Sequence, residues 1–136
     1  MNAVQASFAK LSRAVAAIGS IGVVTALSCA TPAGAADIKW SPADTFEHME
    51  AILPGKAAEV CGSIEPRLPV EWRFTANGPL TFDIHRHSGS EVIYATRSFM
   101  TRELNGRFSP TFNFDWCWMW SNESESPVTV RVELKR

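Results

Sequence analysis

Alternation of large apolar residues at a period of two is the feature that most limits what this chain can fold into. It is clearest in Phe114-Asp115-Trp116-Cys117-Trp118-Met119-Trp120 and in Val128-Thr129-Val130-Arg131-Val132-Glu133-Leu134. Successive side chains of an extended strand point to opposite faces, so such runs suit strands with one buried face. Val70 to Thr75 repeats the pattern with Val70, Trp72 and Phe74 inward, and Leu80 to His85 repeats it with Leu80, Phe82 and Ile84 inward. Ala57 to Ile64 and residues 91–97 read as two further strands, and Phe108 to Phe112 as a short one. Turn residues separate these runs at Asn77-Gly78-Pro79, Ser88-Gly89-Ser90 and Ser121–Pro127, with a less regular stretch around Asn105-Gly106. Short strands with regular turns predict an all-β fold, a sandwich or barrel, rather than an α/β one.

One segment reads differently. In Ser41-Pro42-Ala43-Asp44 a hydroxyl stands at a capping position, followed by Pro at the first helical position and an acid in the first turn. Phe46, Met49 and Leu53 then fall at helical spacing, and Pro54-Gly55 ends the run. The expectation is a short helix over residues 42–52.

The N-terminus has the three parts of a secretory signal peptide: Lys10 and Arg13, an apolar stretch from Ala14 to Ala30, and the small residues Ala33-Gly34-Ala35-Ala36. Cleavage after Ala35 or Ala36 leaves residues 37–54 as an N-terminal segment and 55–136 as a single β-domain. Ala26-Leu27-Ser28-Cys29 offers an alternative. It approximates a bacterial lipoprotein box, and its use would anchor the chain to a membrane through Cys29. The apolar stretch is shorter than the ~20 residues that span a bilayer comfortably. From Asp37 onwards, acidic residues outnumber basic ones by three. No basic patch suggests nucleic acid binding.

Two cysteines remain after the leader, Cys61 and Cys117. In an oxidising compartment they are expected to pair; two free thiols or a metal pair are the alternatives. Closing a loop of about 57 residues would stabilise the fold by about 4 kcal/mol on the chain-entropy account.

Cys61, Val70–Arg73, Leu80-Thr81-Phe82-Asp83-Ile84-His85, Gly89, Glu91-Val92-Ile93-Tyr94, Phe108, Trp116-Cys117-Trp118, Asn122 and Val128-Thr129-Val130 occur in an order that resembles the GOLD (Golgi dynamics) domain. The resemblance covers residues 55–135. It implies a β-sandwich of seven or eight strands, a bond from Cys61 on the first strand to Cys117 on the penultimate one, and a non-catalytic role in binding a protein or lipid. The Ala-rich leader is of bacterial type, so the fold and the binding role transfer, and the trafficking of cargo does not.

Asp83, His85 and His87 lie at alternate positions of one strand and so share a face, opposite Leu80, Phe82 and Ile84. Two imidazoles and a carboxylate suit Zn²⁺ or Cu²⁺, with His48 and Glu71 able to approach from elsewhere; a plain solvated polar face is the alternative. Trp116, Trp118 and Trp120 share a face with Phe114 and serve either as core or, if exposed, as an aromatic platform for a sugar ring or an apolar ligand. Trp120, beside the Ser121–Ser126 turn, is the one expected nearest the surface. Asn122-Glu123-Ser124 fits a glycosylation acceptor pattern, relevant in a eukaryotic source. Arg97, Arg102 and Arg107 read as a loosely basic, mobile loop; an anionic partner for them is the alternative. No nucleophile motif or phosphate loop is present. The chain thus reads as an exported, periplasmic or secreted, non-enzymatic binding module for a protein, lipid or small ligand. The alternative is a metal-binding protein using Asp83, His85 and His87.

Overall fold

The computed structural model describes residues 34–136, and these contain seven β-strands and no helix. In chain order they are β1 (Ala35–Asp37), β2 (Thr45–Ile52), β3 (Ala57–Ile64), β4 (Val70–Ser88), β5 (Glu91–Phe108), β6 (Phe114–Ser121) and β7 (Val128–Lys135). They form one curled, mixed sheet in the order β1-β3-β6-β4-β7-β2, with β5 on the other edge of β4. All pairings are antiparallel except β1 with β3. The signal-peptide reading, residues 1–36, lies mainly outside the described residues, and the lipoprotein reading at Ala26-Leu27-Ser28-Cys29 lies wholly outside them.

β4 organises the molecule. Its first half, Glu71–Ala76, pairs with β7, and its second half, Thr81–His85, pairs with β6 on the same edge. β5 runs along its other edge throughout. The sheet therefore has two arms, β1-β3-β6 and β7-β2, joined by the long β4–β5 hairpin. The change of partner falls at Asn77-Gly78-Pro79, where a turn between two strands was expected; instead the chain bends within one strand. Pro79 lacks the N–H a ladder needs. Gly78 lies so close to β7 that an added Cβ would sit 2.8 Å from Val128 Cγ2. Asn77 Oδ1 accepts a hydrogen bond from Thr129 N at 2.8 Å, fixing the bend against β7.

The arms curl over one core. Phe74, from the β7 side, meets Trp120, from the β6 side, at 5.5 Å between ring centroids, and Phe108 meets Trp118 at 5.6 Å. Val70, Leu80, Phe82, Ile84, Val130, Val132 and Leu134 complete this interior.

Three expectations are corrected. Residues 45–52 form β2, not a helix. All eight residues pair with β7, from Thr45↔Lys135 to Ile52↔Val128. Met49 and Leu53, which helical spacing would turn inward, are 67 % and 51 % exposed. The capping hydroxyl of Ser41 closes a turn instead, accepting from Ala43 N and Thr45 N, with Asp44 at a positive φ of 55°. The stretch holding Arg97, Arg102 and Arg107 is strand β5, not a loop, and Phe108 ends that strand rather than beginning another.

Candidate metal centre

β3, β6 and β4 are consecutive neighbours, and their register builds the site. Cys61 faces Cys117, and Cys117 faces His85. One step along, Glu59 faces Met119, and Met119 faces Asp83. The period of two puts Glu59, Cys61, Cys117, Met119, Asp83, His85 and His87 on one face. Trp116, Trp118 and Trp120 therefore take the other, where they form part of the core. Trp118 and Trp120 are 0 % and 1 % exposed, so the aromatic-platform arrangement and the surface position expected of Trp120 are both set aside. Cys61 and Cys117 are joined by a disulfide.

Asp83 and His85 are each only 2 % exposed, far more buried than a solvated sheet face allows. Strand β5 accounts for this. Arg97 and Ser98 together stand opposite Asp83, between the pairs Phe82↔Phe99 and Ile84↔Thr96, and a second irregularity follows at Ala95, before His85↔Tyr94. Bulges of this kind bend a strand and re-aim its side chains. Here Ser98 Oγ donates to Asp83 Oδ2 at 3.2 Å, and the Tyr94 ring lies 5.9 Å from that of His85.

Asp83 Oδ1 lies 2.7 Å from His85 Nδ1. A carboxylate only accepts, so in the neutral ring Nδ1 carries the proton and Nε2 presents its lone pair. That Nε2 lies 3.3 Å from His87 Nε2 and 3.6 Å from Glu59 Oε2. Two donors bound at about 2.05 Å to a tetrahedral ion stand about 3.3 Å apart, so the spacing suits one ion. Cys117 completes the cluster: its sulfur and the donor atoms of Glu59, His85 and His87 all lie within 4.8 Å of one another.

Of the residues singled out from sequence, His85 and His87 come together as expected. Asp83 stands behind His85 rather than among the converging donors. Glu59 was missed, because it reaches the site only through β6, from a strand 26 residues away in sequence. His48 and Glu71 do not join: His48 contacts Glu50 on β2 at 3.2 Å, and Glu71 lines a separate groove of about 500 Å³ with Phe46, Trp72 and Leu134. Asn122 is 1 % exposed, and its amide donates to Ile52 O and Ser126 O, each at 2.8 Å, so it is a structural clip rather than a surface glycan acceptor. No family model and no curated protein matches the chain significantly.

Proposed function

We propose that this chain is an exported, non-enzymatic metal-binding module. Glu59, His85 and His87 hold one Zn²⁺ or Cu²⁺ ion, and Asp83 orients His85. The observation that carries this reading is the buried Asp83–His85 pair aiming His85 Nε2 at His87 and Glu59. A carboxylate behind a histidine, fixing its tautomer and strengthening it as a ligand, is a recurring feature of metal centres. Two carboxylates, Glu59 beside the ion and Asp83 behind His85, balance a divalent charge.

The disulfide is consistent with an oxidising compartment, and together with the leader it supports a periplasmic or secreted location. Cleavage after Ala35 or Ala36 would trim β1 but keep the bond from Ile38 N to Cys61 O at 2.7 Å. Anchoring through Cys29 would place the same module on a membrane. The GOLD resemblance supports reading the two arms as the layers of a sandwich. The groove floored by Phe46, Trp72 and Leu134 favours a second reading, a binder of a small amphipathic ligand.

Calorimetry of the oxidised mature protein with Zn²⁺ and Cu²⁺ decides between them, beside a His85→Ala/His87→Ala variant. One-to-one binding that disappears in the variant is the expected result. Absence of binding, or binding the variant retains, would overturn the metal reading and leave the groove as the site to probe.

A further inference from the structure

The disulfide and the proposed metal ligands share one sheet face and one row of paired residues. Cys117 is paired on one side with Cys61 and on the other with His85. Its sulfur is within 4.8 Å of the donor atoms of Glu59, His85 and His87. A thiolate and an imidazole nitrogen on one tetrahedral ion stand about 3.5 Å apart, so a cluster whose donors all lie within 4.8 Å needs to contract by at most about 1.3 Å at a freed Cys117 sulfur. While the disulfide is intact, that sulfur has no thiolate charge to offer.

We infer that the Cys61–Cys117 disulfide gates the metal centre: its reduction by a dithiol turns Cys117 into a fourth ligand. This rests on the metal reading above. The chemistry is thiol–disulfide exchange. A dithiol's thiolate attacks the sulfur of Cys61, the less buried residue of the pair, the S–S bond breaks, and Cys117, 4 % exposed, leaves as a thiolate. The dithiol's second thiol then displaces Cys61, so the dithiol is oxidised to its own disulfide and two cysteine thiols result. Bound metal holds Cys117 as the thiolate, and the proton goes to solvent. The donor set changes from two nitrogens and one oxygen to two nitrogens, one oxygen and one sulfur. Soft thiolate ligation favours Zn²⁺ over harder ions. The reduced protein therefore holds zinc and the oxidised protein releases it more readily.

Two variants separate the ligand from the cross-link, because both lack the disulfide. Cys61→Ser keeps Cys117 as a free thiol; Cys117→Ser removes it. With Co²⁺ as the probe, Cys61→Ser should show a sulfur-to-cobalt charge-transfer band in the near ultraviolet, and Cys117→Ser should not. Zn²⁺ affinity of Cys61→Ser should exceed that of Cys117→Ser by about tenfold or more, since losing a direct ligand should cost at least as much as losing a partner that only orients one. Wild-type protein reduced with a phosphine should match Cys61→Ser. Equal spectra and affinities in the two variants would overturn the gating, even if the oxidised protein binds metal through His85 and His87. Binding by Cys61→Ser with the band, but none by the oxidised protein, would instead overturn the three-ligand reading and leave Cys117 as an essential ligand. If the phosphine-reduced wild type and both variants are unfolded in saturating Zn²⁺, no folded reduced centre exists and the inference fails.

Discussion

At the scale of the residue, the decisive group is Asp83, a carboxylate kept from solvent on a face that strand alternation alone would leave wet. Its Oδ1 holds His85 Nδ1 and its Oδ2 accepts from Ser98, so in the proposed centre its role is to fix one imidazole rather than to be a ligand. Asp83→Asn keeps the size but loses the charge and can turn an N–H toward His85. We expect Zn²⁺ affinity to fall by about 10- to 100-fold while the thermal midpoint of the metal-free protein moves little, as calorimetry and a melting curve will show. A fall in affinity no larger than that of a Ser98→Ala control would argue against an orienting role. From sequence, the His-x-His spacing and the preceding Asp were legible because ligands on one strand obey the period of two. The separate roles of Asp83 and Glu59 were not, because they depend on how three strands register.

At the scale of the element, two strands went against their local signals. Residues 45–52 carry helical spacing and a capping sequence, yet the unpaired edge of β7 offers eight residues a full ladder and draws them into β2. β4 carries turn residues at Asn77-Gly78-Pro79, yet it continues as a strand because the bend lets one strand serve both arms. The end of β2 is tied down by Asn122, whose side chain bonds Ile52 O, Ser126 O and Ser124. Asn122→Ala leaves the buried Ile52 carbonyl without that donor and should lower stability by about 1–3 kcal/mol in urea unfolding. A change within a few tenths of a kcal/mol would mean that the clip is dispensable.

At the scale of the whole molecule, the fold and the proposed site are coupled, since β6, which buries Trp116, Trp118 and Trp120 on one face, lies between β3 and β4, which carry the proposed ligands on the other. A ligand that binds only the folded state stabilises it by mass action. Zn²⁺ at 100 times its dissociation constant should add about 2.7 kcal/mol to unfolding, seen as a raised melting midpoint that is absent in His85→Ala/His87→Ala. The sequence by itself determined the inward faces of β4 and β7, because alternation is a local property of an extended backbone: Trp72, Phe74, Leu80, Phe82, Ile84 and the valines of β7 are all buried, whereas alternation left open which face of the Trp116, Trp118 and Trp120 strand turns inward. It also brought Cys61 and Cys117 forward as a pair, because an oxidising compartment leaves few other uses for two cysteines. Only the tertiary structure decided that residues 45–52 extend, that β4 bridges two arms, and that Glu59 and Cys117 stand beside His85. Those outcomes depend on which edge lies free and which strands neighbour one another, and hydrogen bonds between distant segments settle both.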